Sequence, residues 1–414
     1  MSKNTAESAA EPLMAPASHT PWRAFALWVA LGILLGLILW RRQLTPEEAQ
    51  FLLEMHENPS IPARLQSFWS QWAGTLEKAS RSLSLLCLWA GAGCCGLAAY
   101  RQLGERGAAA AMIAAVAWPV AFLDGTGIGL SAPFFFAASL STAFLTWSLP
   151  VLGRRGVAGL VGLGVALTPY FLATGGDPNN QEVSTALSRL APGHGLWPAT
   201  MSGTAQMLIF SGAAFGLLAL GGKRALGNAL IFAIPLASFW LSVKSGIHLQ
   251  SPPDFWVSAL LPPLSLLVAE SFGPASAPKV RRRIFIALAL LLALALAGSW
   301  QSTTDDQEPF DPRTSLDWLA TGVDQRAWVL LAGSDRHLYR YYEGRGHHPG
   351  HQTRLVTDMD EAKELAERSD YFDIPEVVIV GRNIDLQSLF SARYQLAEPR
   401  EAQPQDVVIL QALR

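Results

Sequence analysis

The chain has 414 residues, of which 50% are hydrophobic and only 15% are charged, and its mean hydropathy is +0.24. Soluble domains carry about a quarter charged residues, so this composition argues against a soluble enzyme and indicates an integral membrane protein. The net charge of −2, with no basic stripe along the sequence, argues against a nucleic-acid partner.

The membrane-spanning domain is predicted to cover residues 23–300. Residues 1–22 are polar and rich in Pro, Ala and Ser, which predicts a disordered cytoplasmic tail. About nine apolar segments follow, and each reaches or approaches the roughly 17 to 25 residues that a helix needs to cross a bilayer. They lie near residues 23–40, 83–100, 107–123, 132–151, 156–173, 204–221, 225–243, 254–271 and 283–300.

The charges between these segments predict the orientation of the chain. Positive residues are retained on the cytoplasmic side, and every other connection is basic, with Arg101, Arg106, Arg154, Arg155, Lys223, Arg224, Lys279 and Arg281–Arg283. We therefore expect an integral plasma (inner) membrane protein with a cytoplasmic N-terminus. The loops at 41–82, 124–131, 174–203 and 244–253, and everything after Trp300, are expected on the outer side.

The first outer loop, 41–82, opens with two adjacent acids, Glu47 and Glu48, in the stretch LTPEEAQ. These acids suit the first turn of a surface helix, with Thr45 as its cap and Pro46 at its first position. Farther on, the stretch PARLQSFWSQWAGTLEKASR has apolar residues at helical spacing, which predicts a helix that lies along the membrane surface.

The composition changes after the last apolar segment, and residues 301–414 are predicted to form a small extracytoplasmic α/β domain. The runs RAWVLLAG, TRLVTD, PEVVIVG and DVVILQAL are typical of short strands, whereas DRHLYRYYEG and MDEAKELAERSD have helical patterns. The stretch GRGHHPGH brings His347, His348 and His351 together, which fits a surface turn better than a metal site. No metal ligands are therefore assigned, and a requirement for a divalent cation is left open.

Several stretches, in this order, resemble one family of membrane enzymes. They are the acidic pair in LTPEEAQ, the alanine-arginine in ASRSLSLL, the tyrosine-arginine in LAAYRQLGERGAAAA, the lysine-bearing loop and double proline in SVKSGIHLQSPPDFWVSALLPPLSLLVAESF, and the tail DRHLYRYYEGRG. The sequence thus resembles the GT-C class of glycosyltransferases that use lipid-phosphate sugars, which includes protein O-mannosyltransferases and aminoarabinose transferases. The resemblance implies a GT-C-like fold in an α-helical polytopic membrane protein.

The resemblance also implies a function and a set of site residues. An inverting glycosyltransferase would move a sugar from a polyprenyl-phosphate donor to an extracytoplasmic lipid, glycan or protein acceptor. Glu47, with Glu48 beside it, would be the catalytic base, since a carboxylate can accept the proton of the attacking group. The leaving phosphate needs a cation, which makes Arg81 and Lys244 the candidates for binding it. His248, Asp254 and Asp124 are further candidates for substrate binding.

Other interpretations stay open at this point. Arg81 and Lys244 also suit interfacial anchors, and Asp124 also suits a cap or a turn. Many relatives have an aspartate where this chain has Ala132 and Pro133, and a lysine where it has Pro169. These departures favour a catalytically silent GT-C-like scaffold or accessory subunit as the alternative. A transporter is less favoured because the sequence has no convincing internal repeat and few charges within its spans.

Overall fold

The structure is a computed structural model. It describes residues 22–41, 44, 46–54, 61–74, 77–118, 131–171, 203–221, 225–244, 254–273, 276–304, 311–333, 335–347, 349–372, 374–381, 386–391 and 393–413. Two compact units form within it. We call the described residues within 1–37, 85–126 and 131–299 the helical unit, and the described residues within 38–84 and 300–414 the α/β unit.

Ten helices precede the C-terminal region within the described residues. They are α1 Trp22–Arg41, α2 Pro46–Glu54, α3 Ile61–Ala73, α4 Glu77–Val116, α5 Ser131–Ser148, α6 Gly153–Phe171, α7 Gly203–Ala219, α8 Ala225–Lys244, α9 Asp254–Ala269 and α10 Pro278–Thr304. Single 3₁₀ turns at Pro150–Leu152 and Glu270–Phe272 precede α6 and follow α9.

Helices and short strands then alternate to the end of the chain. They are α11 Pro312–Gly322, β1 Trp328–Leu331, α12 Arg336–Glu343, β2 Gln352–Leu355, α13 Met359–Tyr371, β3 Glu376–Val380, α14 Gln387–Phe390, β4 Tyr394–Leu396 and β5 Val407–Ala412. The predicted C-terminal sheet is therefore present. Its strand β4 and the helices α11 and α14 were not predicted from the sequence.

Two described helices are long and apolar enough to cross a membrane, namely Glu77–Val116 and Pro150–Leu167. Shorter apolar helices cover Trp22–Leu37, Gly227–Ala237 and Ser258–Phe272. These apolar helices support a membrane location, and the count of about nine spans stays a prediction.

Helix α4 contains a sharp break at Gly104, where φ is 68° and ψ is −164°. This backbone conformation strongly favours glycine, because a Cβ atom would strain it. The chain folds back at this point, since a Cβ on Gly96 would lie 2.9 Å from the Cγ atom of Met112. In one straight helix these two residues would be about 24 Å apart. The break explains why the sequence predicts separate segments at 83–100 and 107–123.

A pair of tryptophans fixes α1 against α4 in the helical unit. The rings of Trp28 and Trp89 are stacked 4.0 Å apart and are 5° from parallel. Each indole N–H donates to the backbone carbonyl of the other residue, at 2.9 Å in both directions. Gly32 and Gly93 make room for the rings, because a Cβ on either would lie within 3 Å of the opposite indole.

Basic residues from separate connections meet at one end of the helical unit. Glu270 is 3.8 Å from Arg154 and 3.2 Å from Arg155, and Arg154 also donates to the side chain of Gln102 at 2.7 Å. Arg101 donates to the carbonyl of Trp147 at 2.7 Å. Two of the basic connections that the sequence assigns to one side of the membrane, at Arg101 and at Arg154–Arg155, are therefore close in space, and which side that is stays a prediction.

The α/β unit contains a five-stranded sheet in the order β2-β1-β3-β5-β4. Strands β2, β1 and β3 are parallel, and β5 is antiparallel to both β3 and β4. The two central strands, WVLL and EVVIV, are buried along their whole length, as expected for parallel strands that are covered on both faces.

Helix α2 packs into the core of this unit. Ala49 and Leu52 on α2, with Leu44 just before it, are buried in one apolar cluster with Leu338 of α12 and Val329 of β1. The sequence assigned the loop 41–82 to the membrane-spanning domain, whereas the structure groups residues 38–84 with the C-terminal region. The reason is this apolar face of α2, which the sheet and α12 bury.

Candidate active site

The centre of the site is a buried ion pair between α2 and α4. Glu48 Oε2 and Arg81 Nη2 are 2.6 Å apart, and the two side chains are 6% and 1% exposed, respectively. Glu48 faces inward because it lies one residue before Ala49 and four before Leu52, on the apolar face of α2. A buried pair of this kind depends on both partners, since either charge alone is costly to keep away from water.

A second carboxylate, Glu77, connects this pair to the C-terminal region. Glu77 Oε1 lies 3.6 Å from Arg81 Nη2, one helical turn earlier on α4. Its other oxygen, Oε2, accepts a hydrogen bond of 3.1 Å from the hydroxyl of Tyr342 on α12. Residues from the segment 41–82 and from the C-terminal region of the chain therefore form one polar cluster.

Aromatic and basic side chains surround Tyr342. The guanidinium carbon of Arg313 is 5.2 Å from the centre of the Tyr342 ring, and that of Arg345 is 3.6 Å from the centre of the Tyr341 ring. Burial raises the pKa of Tyr342, and the charge of Glu77 and its hydrogen bond raise it further. Burial also raises the pKa of Tyr341. Both phenols therefore stay protonated at neutral pH, and the Tyr342 hydroxyl remains a hydrogen-bond donor.

The fold that carries this cluster is similar to solved structures. Two crystal structures of ArnT from Cupriavidus metallidurans match the chain, one bound to undecaprenyl phosphate and one in the apo state. The first has a TM-score of 0.51 and 15% identity over 93% of this chain and 97% of that chain. The second has a TM-score of 0.50 and 15% identity over 94% and 98%, respectively.

The chain has a GT-C-like fold. No protein-family model and no curated protein matches the sequence, so the likeness to ArnT is one of structure. It extends over both units, and the GT-C-like fold that the sequence motifs implied is confirmed.

Within this ArnT-like fold, the structure brings together two of the seven residues that the sequence singled out, Glu48 and Arg81. Glu47 lies on α2, but its side chain is outside the described residues, as are the side chains of Lys244 at the end of α8 and Asp254 at the start of α9. Asp124 and His248 lie outside the described residues altogether. The roles assigned to all seven stay predictions.

Three residues of the cluster were not singled out from the sequence: Glu77, Tyr342 and Arg313. The contact of Glu77 with Arg81 could have been predicted from the sequence, because the two residues are four apart on a helix and opposite charges at that spacing attract each other. Tyr342 lies 265 residues after Glu77, and no local pattern links them. Their contact depends on the packing of α12 beside α2 and α4.

The described residues include no group of three His, Cys, Asp or Glu side chains that could hold a metal ion. Both Glu48 and Glu77 contact Arg81. In the histidine-rich turn, His347 Nδ1 is 2.9 Å from Asp317, and His351 Nε2 is 2.9 Å from the carbonyl of Leu319. The third histidine, His348, lies outside the described residues.

Proposed function

We propose that the protein is an inverting glycosyltransferase, which moves a sugar from a polyprenyl-phosphate donor to an extracytoplasmic lipid, glycan or protein acceptor. The observation that carries the proposal is the structural likeness of almost the whole chain to ArnT bound to undecaprenyl phosphate. The proposal places the protein in the plasma (inner) membrane, with residues 1–22 in the cytoplasm and residues 301–414 on the outer side.

The proposed reaction is a single displacement at the anomeric carbon of the sugar. An acceptor hydroxyl or amine attacks this carbon, and the bond to the phosphate oxygen breaks, so that the polyprenyl phosphate leaves with the electron pair. The attacking group loses its proton in the same step. Glu47 is the proposed acceptor of that proton, because a carboxylate within hydrogen-bond reach can act as a general base.

Glu48 has a different proposed role from its neighbour. Its carboxylate binds the buried Arg81 guanidinium at 2.6 Å, so protonating Glu48 would remove a charge that Arg81 needs. We therefore assign Glu48 to holding Arg81, which leaves Glu47 as the base.

The leaving phosphate is assigned to cations at the outer ends of helices. Arg81 and Lys244 would stabilise the negative charge that develops on it, and His248, Asp254 and Asp124 would position the substrates. Arg81 already contacts two carboxylates, so a phosphate would have to replace one anion with another.

The test is sugar transfer by the purified full-length chain in lipid vesicles, offered labelled polyprenyl-phosphate sugars and a membrane extract as acceptor. Glu47→Gln should lower the rate roughly 10²- to 10⁴-fold, since it removes the basic oxygen with little change in shape. Glu364→Gln, on the exposed face of α13, is the control and should transfer at the rate of the unchanged protein. Equal transfer by Glu47→Gln would contradict the assignment of the base.

A catalytically silent GT-C-like scaffold is the second candidate, and one structural observation favours it. The Arg81 side chain is 1% exposed and contacts Glu48 and Glu77, which is the arrangement of a structural ion pair. No transfer by the unchanged protein with any donor, while its thermal unfolding stays cooperative, would support the scaffold and refute the enzyme.

A further inference from the structure

We propose that the start of α10 is a binding site for an anionic phospholipid. The lipid headgroup contacts Lys279, Arg282 and Arg283, and the acyl chains lie along the apolar face of the helix that follows these residues. The ligand is therefore a membrane lipid whose headgroup has a net negative charge. The inference does not depend on sugar transfer, because no residue of the candidate active site takes part in it.

The segment 271–304, which contains α10, has charges of one sign only. Its four charged residues are Lys279 and Arg281–Arg283, and it has no aspartate or glutamate. The Nε atom of Arg281 donates to the carbonyl of Ser276 at 3.0 Å. The other three side chains are exposed, and within the described part of the chain no ion pair or hydrogen bond joins them to the protein. Three of the four cations are therefore available to a ligand.

Arginines of the other basic connections are bound within the protein. Arg154 and Arg155 share the carboxylate of Glu270, and Arg101 donates to the carbonyl of Trp147. A basic connection therefore does not by itself leave cations exposed at the end of a helix. The start of α10 differs from these connections in presenting its cations to the surroundings.

The exposed cations of α10 continue into an apolar face. Ile286, Leu290 and Leu294 are 48%, 60% and 41% exposed. Together with Lys279 and Arg283 they form a series in which neighbours are three or four residues apart. Residues at this spacing lie on one side of a helix, so the cations and the apolar side chains share one face.

The opposite side of α10 is buried in the helical unit. Ile284, Leu288 and Ala295 are 0%, 1% and 0% exposed, respectively. The exposed apolar side is thus the one that contacts lipid when this predicted span lies in a membrane. From Arg283 to Leu294 the helix rises about 17 Å, which is close to half of a hydrocarbon core of roughly 30 Å. A lipid with its headgroup at the cations would therefore have its acyl chains beside this face, within one leaflet.

A phosphate with a net negative charge is the headgroup that these side chains fit. Arginine can bind two phosphate oxygens at once, and lysine adds a compact positive charge. The partial positive charge at the N-terminal end of this 27-residue helix has the same sign. Clusters of basic residues next to a membrane helix attract anionic lipids. A zwitterionic headgroup should bind less well, because its own cation offsets the phosphate.

The experiment is native mass spectrometry of the full-length chain released from detergent micelles. The protein is first incubated with equal amounts of phosphatidylglycerol, which is anionic, and phosphatidylcholine, which is zwitterionic. The amount of each lipid retained by the protein is then read from the mass. The two lipids are chosen with the same acyl chains, so that only the headgroup distinguishes them.

Two variants lose the same number of positive charges at different places. The neutral variant changes the proposed site and combines Lys279→Gln, Arg282→Gln and Arg283→Gln. The control variant changes three exposed cations of the α/β unit and combines Arg326→Gln, Lys363→Gln and Arg368→Gln. A general effect of net charge on lipid binding would therefore be equal in the two variants.

The unchanged protein and the control variant should prefer phosphatidylglycerol. We expect a preference of roughly fivefold to 10²-fold, the range for one to three basic side chains beside an anionic headgroup. The neutral variant should retain the two lipids equally. Equal retention by the unchanged protein would overturn the proposal, and so would a preference in the neutral variant as large as that of the control.

A charge-conserving variant separates the loss of charge from misfolding. It combines Lys279→Arg, Arg282→Lys and Arg283→Lys, and it should keep the preference for phosphatidylglycerol. Loss of the preference in this variant would overturn the proposal, because the headgroup is recognised by its charge.

A competition with inorganic phosphate distinguishes a lipid site from a site for free phosphate. At constant ionic strength, inorganic phosphate should not displace phosphatidylglycerol, because it has no acyl chains to contact the apolar face of α10. Displacement would show that the cations bind phosphate without the lipid, and it would overturn the proposed lipid site.

Discussion

Removing one member of the Glu48–Arg81 pair should destabilise the α/β unit strongly. Glu48→Leu leaves the Arg81 guanidinium, whose side chain is 1% exposed, with the more distant carboxylate of Glu77 at 3.6 Å. Breaking a buried ion pair in this way costs about 3–5 kcal/mol. A change of 1 kcal/mol shifts the Tm of a domain of 150–250 residues by about 2–4 °C, so the Tm should fall by about 6–20 °C.

The assay is thermal unfolding of the full-length protein in detergent, followed by tryptophan fluorescence at one scan rate. The matched control is Glu364→Leu, which breaks a pair of similar length with Arg368, at 2.5 Å, in which the side chains are 60% and 58% exposed. Such surface pairs contribute about 0–1 kcal/mol, so its Tm should change by no more than about 4 °C. Equal shifts for the two variants would refute the reasoning.

Replacing both charges tests the same argument from the other direction. The double variant Glu48→Leu, Arg81→Met leaves neither charge buried, and apolar replacements of a buried pair are often nearly neutral. Its Tm should therefore lie above that of Glu48→Leu and that of Arg81→Met. A fall equal to the sum of the two single effects would show that the pair is not coupled.

Two further predictions follow from the same structure. The pKa of Tyr342 is raised in the folded state, so the folded protein retains this proton above the ordinary pKa of 10.0, whereas the unfolded chain loses it. Stability is therefore lost as the pH rises past 10.0. Tyr342→Phe should accordingly make the fall of Tm between pH 9 and 11 less steep. Gly104→Ala should cost about 1–3 kcal/mol, because φ is 68° there, whereas Gly36→Ala, on an ordinary helix with open space around the new Cβ, should not lower the Tm.

The sequence predicted those parts of the fold that depend on local pattern. The runs WVLL and EVVIV could be predicted as strands because a central parallel strand is buried on both faces and is therefore apolar along its length. Strand β4 was missed because it has three residues, of which only Tyr394 is buried, so it shows little periodicity. The break in α4 was readable as a gap between two apolar segments, with Gly104 inside it.

The site was harder to predict because its residues meet only after folding. The motif LTPEEAQ and the arginine in ASRSLSLL could each be recognised, yet nothing in the sequence indicates that Glu48 would contact Arg81, 33 residues later. The packing of α2 could not be predicted from the sequence either, since a short helix in a loop can pack on either neighbouring region. Ala49 and Leu52 of α2 pack against the C-terminal region, and this contact can be predicted only when the apolar surface that buries them is known.

The Glu48–Arg81 contact also changes the meaning of the acidic pair at the start of the loop. Two adjacent glutamates in one motif suggest that both serve the same function. Glu48, however, neutralises the buried Arg81, and folding alone requires that contact. Glu48 would therefore be retained in an enzyme and in a silent scaffold alike, and only Glu47 distinguishes the two. The two effects of substitution should separate accordingly, with Glu48→Gln acting mainly on stability and Glu47→Gln on transfer. This separation makes Glu47 the residue whose substitution tests the function of the protein.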